Sequence, residues 1–347
     1  MRASMLTAVG RFETVEVERP TPRPGEVVVR VEAISICGSD LSAYLGRHPR
    51  IKPPAVLGHE FSGVIEEAGA GVEARRVGER VAVEPVIGCG NCRACRQGRE
   101  NICSSYRVIG ETADLPGAFA GRVRVAADHA HPLPDGVSFE EGAVVQPLAI
   151  GLHAVRDRAV VRPGEVALVV GAGPIGMAAA LESQRAGART IITDVLPYRV
   201  RHAARMGIHV AVVREDAPDA VRRETDGYGA DVVFEAAGGA SDDPFQLAVA
   251  SAASGGRVIA LGSFAAPALP LAVNDVKYNE IDIRGSQAHP NSFPDVIGEI
   301  AAGELCASGL ITHRLLLSDV ERAFDLLARH DEEVMKIVLR PDPRATV

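Results

Sequence analysis

Residues 165–194 read EVALVVGAGPIGMAAALESQRAGARTIITD, and this stretch decides the fold. An apolar run, Glu165 to Val170, has the length and β-branched content of a buried strand. Gly171-Ala172-Gly173-Pro174-Ile175-Gly176 then fits GxGxxG, Ile175 to Ala186 has helical texture, and Thr190 to Thr193 reads as the next strand. Strand, glycine turn, helix and strand in that order make the first unit of a parallel sheet that binds a dinucleotide. Its glycines let the backbone approach a pyrophosphate, whose charge the helix N-terminus favours. Asp194 closes the second strand, where a carboxylate accepts hydrogen bonds from ribose hydroxyls and repels a 2′-phosphate. NAD is therefore expected over NADP, with Arg199, five residues on, as the one nearby group able to pair with that phosphate.

Outward from this unit, Asp231 to Glu235, Arg257 to Ala260 and Ile281 to Gly285 continue the rhythm as further buried strands. Phe293 to Ala302 and Val320 to Ala328 have helical periodicity, and Glu333 to Leu339 reads as a last strand. Before residue 150 the texture differs: Glu26 to Ala33, Phe61 to Glu66, Arg80 to Glu84 and Gly121 to Val125 are short strands punctuated by Gly and Pro, the pattern of a β-rich, barrel-like domain. The expected organisation is a β-rich catalytic domain over 1–150, a doubly wound parallel-sheet domain over 151–287, and a return to the first domain over 288–347.

The chain has 347 residues, 47% hydrophobic and 24% charged, with a formal net charge of −8. That is the make-up of a globular enzyme of about two domains, and no run of Lys or Arg is dense enough to track nucleic acid or an anionic membrane. Met1 to Met5 lacks the apolar core of a secretory signal, and the most apolar stretch, Val166 to Leu181, is broken by three glycines and a proline. A reducing cytoplasm is the expected compartment, and there clustered cysteines read as metal ligands rather than disulfides.

Five of the six cysteines fall between residues 37 and 103. Cys89, Cys92, Cys95 and Cys103 lie on one loop, about 86–105. A bacterial iron–sulfur run places its fourth cysteine after three residues and before Pro, whereas here seven intervene and Ser104 follows. Four thiolates closing a tetrahedral shell around a structural zinc are expected. Cys306, between Leu305 and Ala307, reads as a small buried or half-buried hydrophobe.

Cys37 stands alone, and 22 residues later comes the histidine of Gly58-His59-Glu60. One thiolate, one imidazole and an adjacent carboxylate supply a zinc shell that leaves room for water or an alcohol. The two cysteine groups thus divide into a closed metal site and an open one.

Taken together, Cys37-Gly38-Ser39-Asp40, Gly58-His59-Glu60-Phe61-Ser62-Gly63, the four-cysteine loop, Leu133-Pro134-Asp135-Gly136, Pro147 to Ala154 and the glycine fingerprint resemble the zinc-dependent medium-chain dehydrogenase/reductase family. The likeness is greatest to its sorbitol (polyol) and threonine dehydrogenase branches, and it spans most of the chain in the family's order. It implies a GroES-like domain and a Rossmann domain with catalysis in the cleft between them, and two zinc ions per chain, one catalytic and one structural. It further implies Cys37 and His59 on the catalytic zinc, Ser39 on the substrate hydroxyl, Asp40 orienting His59 from behind, and a homodimer or homotetramer.

Three departures from the relatives bear on chemistry. Gln146 stands where polyol dehydrogenases usually have Glu. Because Zn²⁺, the Cys37 thiolate and the Glu60 carboxylate sum to zero, direct ligation by Glu60 with Gln146 near the metal-bound water is one arrangement. Glu60 behind the zinc and Gln146 as a buried, satisfied amide is the other. Ser42 replaces the histidine that many relatives carry five residues after the cysteine, leaving Ser39, water and the cofactor ribose to move the proton, with Ser42 as a candidate next link. Ala288-His289 replaces an Arg-Tyr pair, so Gln287, His289 and Asn291, with Tyr44 and Phe119 as walls, are the candidate substrate contacts. Lys336 is a candidate for the cofactor phosphates.

The expected activity is reversible hydride transfer from a secondary alcohol of a polyol, cyclitol or similar small molecule to NAD, giving a ketone. A threonine-type amino-alcohol dehydrogenase is the alternative, and a catalytically silent NAD-binding regulatory or structural protein is the alternative of another class.

Overall fold

The computed structural model describes residues 1–329 and 333–342. The chain packs into two compact units, one formed by Met1–Gln146 with the chain from Phe293 onward, the other by Pro147–Ser292. The sequence reading draws these junctions at 150/151 and 287/288. Packing carries the second one on to 292/293, because the 286–292 loop is tied into the second unit, where Arg156 Nη2 donates to Ser292 Oγ at 3.4 Å.

The second unit is a six-stranded, wholly parallel sheet. Its spatial order is Val210–Val213, Arg189–Asp194, Val166–Val170, Ala230–Glu235, Ala252–Ala260 and Asp282–Gly285. The order reverses between Val166–Val170 and Ala230–Glu235, which puts the topological switch point beside the glycine fingerprint. Leu168, Ile191, Val233 and Val258 are fully buried, as strands covered on both faces require. Helix Pro174–Arg185 starts with proline in its first turn, where no N–H is needed, and it buries Met177 to Ala180.

The first unit holds a seven-stranded, mostly antiparallel sheet. Its path runs Ile311–Leu316, Lys336–Arg340, Glu26–Ser35, Glu60–Ala68, Arg80–Val83, Ala130–Pro132, with Arg122–Ala126 pairing beside Glu26–Ser35. Two register facts place the site. Ser35 lies directly opposite Glu60, and Val338 opposite Ser35 on the other side. Cys37, His59 and Lys336 are thereby brought from three distant parts of the chain to one end of this sheet. The short ribbon of Val86–Ile87 with Arg107–Val108 closes the base of the four-cysteine loop.

Some expectations fail here for packing reasons. Tyr44 and Phe119 are not pocket walls: they are buried with Phe12 and Phe324 in one aromatic cluster, ring centroids 4.9–6.0 Å apart. Cys306 is exposed, in the loop after helix Phe293–Ala301, and is not a core hydrophobe. The last strand is Lys336–Arg340. An N-terminal hairpin, Arg2–Ala8 with Arg11–Glu16, has no counterpart in the sequence reading.

Candidate active site

The sharp approach to the site is built on glycine. Gly58 sits at φ +95°, and a Cβ there would lie 2.7 Å from the Phe119 ring, so only glycine delivers His59 to the end of its strand. Opposite it, helix Gly38–Tyr44 begins at Cys37. Asp40, fully buried, accepts the Cys37 N–H at 3.0 Å and the Gly58 N–H at 3.4 Å. One carboxylate thus ties the two segments together, and its Oδ1 stands 3.7 Å from His59 Nδ1, an ion-pair distance.

Cys37, His59 and Glu60 converge: one potential ligand atom from each lies within 4.8 Å of the others. Buried polar atoms on or next to these residues have no hydrogen-bond partner, among them His59 Nδ1, Glu60 Oε1 and Ser39 Oγ. Uncommitted buried donors and acceptors are costly, and a thiol, an imidazole and a carboxylate together have the chemistry of a zinc shell. The residues therefore fit a bound zinc. Burial works against a charged His59, but Asp40 and Cys37 beside it prevail and hold the ring well above its ordinary 6.5. Metal binding to that ring competes with a proton.

Glu60 is held on its other side as well. Oε2 accepts from Ser35 Oγ and pairs with Lys336 Nζ at 2.6 Å, and the same ammonium donates to Ile36 O at 2.9 Å. Lys336 and Glu60 are 3% and 1% exposed, so neither charge is shared with water. Lys336, a candidate for the cofactor phosphates, is thus engaged inside the first unit by Glu60 and Ile36 O. Zn²⁺, the Cys37 thiolate and the Glu60 carboxylate still sum to zero, and the Lys336 ammonium beside them adds one positive charge to the surroundings. Gln146 is buried near the start of helix Val145–Leu152, where the chain passes from the first unit to the second, and its Oε1 has no hydrogen-bond partner.

The four-cysteine loop has the dimensions of the metal it was expected to hold. Cys92 and Cys95 sulfurs are 3.5 Å apart, and those of Cys89 and Cys95 3.9 Å. A tetrahedron with zinc–sulfur arms of about 2.3 Å has edges of about 3.8 Å. Cys103 completes the cluster within 4.8 Å, and all four thiols are free. Backbone N–H groups of Asn91 and Cys92 draw Cys89 down to about 6, while burial, with Cys92 beside it, pushes Cys95 up to about 12. Four close thiols share protons unevenly, and a cation replaces those protons.

In the second unit Gly171 takes φ +101°, and a Cβ on Gly176 would lie 1.8 Å from Gly171 O. Helix and strand meet there with no room for a side chain. Asp194 is buried, accepting Ala172 N–H at 2.7 Å and Leu196 N–H at 2.9 Å. Arg199 Nη1 lies 3.5 Å from the same carboxylate and beside Gly173, so this guanidinium is paired rather than turned to a phosphate. Gln287 and Asn291 are exposed and His289 buried in the 286–292 loop of this unit, where Ala288 and Asn291 have positive φ.

Two contributors escape sequence reading. One is the Ser35–Glu60–Lys336 set, although a lysine inside Val334-Met335-Lys336-Ile337-Val338 is itself a signal of a paired buried charge. The other is Glu235, fully buried at the end of its strand. It accepts the N–H groups of Ala237, Gly238 and Gly262 and so fixes two turns at the switch point; burial raises its pKa.

With this geometry in hand, likeness to known proteins is informative. Residues 23–135 match the alcohol dehydrogenase GroES-like domain, and residues 174–302 match the zinc-binding dehydrogenase family. A sorbitol dehydrogenase of Bacillus subtilis is 34% identical over 351 residues, covering 99% of this chain and 98% of its own. The chain belongs to the zinc-dependent medium-chain dehydrogenase family. Solved structures agree over the whole length. A protein described as a short chain alcohol dehydrogenase from Escherichia coli CFT073, complexed with NADH, superposes with a TM-score of 0.89 at 31% identity, covering 98% of this chain and 99% of its own. The 2R,3R-butanediol dehydrogenase of Bacillus subtilis does so with a TM-score of 0.89 at 29% identity and the same coverage. As a member of the family, the chain is a zinc-type oxidoreductase of a small-molecule alcohol, with a GroES-like unit and a Rossmann unit. Among the described residues no helix is long and apolar enough to cross a membrane.

Proposed function

We propose that this protein oxidises a secondary hydroxyl of a polyol, cyclitol or similar compound to a ketone, reversibly, with NAD and a catalytic zinc held by Cys37, His59 and Glu60. The observation that carries this reading is the convergence of those three donors beside the uncommitted Ser39 hydroxyl. When bound, zinc supplies Lewis acidity at the alcohol oxygen, and NAD supplies the hydride acceptor. Asp40 fixes the start of the helix that carries Cys37 and Ser39, and by its charge it orients His59. Ser39 Oγ accepts the proton of the substrate hydroxyl and passes it outward; Ser42, one helical turn on, lies on the same helix as the next link. Gln146, whose buried amide oxygen is uncommitted, would contact the metal's water or coordinate the metal weakly. Cys89, Cys92, Cys95 and Cys103 hold the second, structural zinc and take no part in chemistry.

In the Rossmann unit, Gly171, Gly173 and Gly176, with Pro174 and Ile175, bring the start of helix Pro174–Arg185 to the pyrophosphate. Asp194 takes the adenosine ribose hydroxyls with its remaining lone pairs. Its pairing with Arg199 supports NAD over NADP. Six free cysteines suit a reducing cytoplasm, and a homo-oligomer is part of the same proposal.

A screen of NADH formation over polyols, inositols, vicinal diols and amino alcohols tests the reading. Turnover is expected on a polyol or cyclitol, with kcat/KM for NAD at least about tenfold that for NADP. Preference for amino alcohols would move the substrate class to the threonine type, and no turnover by a zinc-loaded, NAD-binding protein would reject catalysis.

A further inference from the structure

We propose that Lys336 is a positioning residue that sets how much of its negative charge Glu60 gives to the catalytic metal. The inference rests on the zinc site proposed above and adds to it a part that no ligand count contains. Glu60 lies at the buried end of a strand, 1% exposed, where an isolated carboxylate is strongly disfavoured. Ser35 Oγ and Lys336 Nζ both engage one of its oxygens, Oε2, and Oε1 is left without a partner. The carboxylate is therefore fixed in rotation by two groups on one oxygen and has uncommitted lone pairs on the other.

Strand pairing makes this arrangement stiff. Ser35 faces Glu60 across one ladder, and Leu339 faces Ile34 across the next, while Ile36 N–H donates to Ile337 O at 3.1 Å. Lys336 is tied by its own bond to Ile36 O, one residue from Cys37. Its neighbours Ile337, Val338 and Leu339 are fully buried, so the ammonium has no path to water and remains beside the metal position. Two consequences follow from Coulomb's law. Without metal, Lys336 neutralises Glu60 and keeps the pocket from being an anionic trap. With a divalent ion present, the ammonium repels it and draws electron density from Glu60, which weakens ion retention and strengthens the ion's pull on an alcohol oxygen.

The test compares the full-length holoenzyme with Lys336→Met, which keeps the bulk and removes the charge, and Lys336→Arg, which keeps the charge. Zinc loss to a chelator in excess is followed by metal content. For Lys336→Met the catalytic zinc is expected to leave roughly tenfold more slowly than in the parent. Lys336→Arg is expected to behave like the parent, and the four-cysteine zinc to leave at an unchanged rate in all three. Equal or faster loss of the catalytic zinc in Lys336→Met would overturn the proposal, as would the same shift in both variants, which would mark a packing effect. A parent protein that binds one zinc per chain, or none at Cys37, would instead refute the underlying zinc site. The two failures are therefore told apart by the parent's metal content alone.

Discussion

A hydroxyl shut inside a protein without a partner costs on the order of 1–3 kcal/mol, so Ser39 Oγ implies a partner that comes and goes with the reaction. Ser39→Ala is expected to lower kcat roughly 100-fold while two zinc ions per chain and NADH affinity are retained, since the hydroxyl handles only the proton. Steady-state rates beside metal analysis check this; an unchanged kcat would remove Ser39 from the proton path. At this scale much of the site is legible in the sequence, because Cys37, His59, Glu60 and the four clustered cysteines are residue types with few other uses at such spacing. Lys336 is not, because its role depends on a strand 300 positions from Ile36 pairing beside it. Tyr44 and Phe119 mislead for a simpler reason: an aromatic ring has the same signature in a pocket wall as in a core.

At the scale of elements, the glycine fingerprint is legible because strand, turn and helix are contiguous, and a backbone contact such as Gly176 on Gly171 dictates its residue directly. The sheet of the first unit is less so. Its order sets the chain's last two strands at one edge, against the early strand Glu26–Ser35, and register across such distances leaves no local trace. One tie across that sheet gives a test. Glu140, on helix Phe139–Ala143, accepts from Arg314 Nε at 2.7 Å and also pairs with Arg340, linking the helix to two adjacent strands. Burial raises its pKa, but the two guanidiniums prevail and hold it below its ordinary 4.5. The stabilisation is present above the unfolded-state value and is lost as pH falls through the lower folded value. Glu140→Gln is expected to cost roughly 1 kcal/mol near neutral pH, a modest figure because both arginines are about half exposed to solvent. Urea unfolding should show that gap narrowing as pH falls below the unfolded-state value and closing once the folded carboxyl is protonated, where parent and variant become alike. A gap that is independent of pH would mean the carboxylate's charge contributes nothing.

At the scale of the whole molecule, two folding units divide the labour that their residues announce. The GroES-like unit carries both cysteine-based metal sites, and the Rossmann unit carries the dinucleotide turn, Asp194 and Arg199. The closed site is dimensioned for four sulfur–metal bonds and has no position left for substrate, whereas the open one combines three donors with an uncommitted hydroxyl. Activity should accordingly depend on the open site's ion alone. The most direct measurement is the rate of NADH formation from the best polyol as zinc is returned to protein stripped of the Cys37-bound ion but still holding the four-cysteine zinc. The rate is expected to fall at least about 100-fold on stripping and to recover linearly up to one added zinc per chain. Full turnover without that ion, or no recovery when it is bound again, would contradict catalysis by zinc at Cys37, His59 and Glu60.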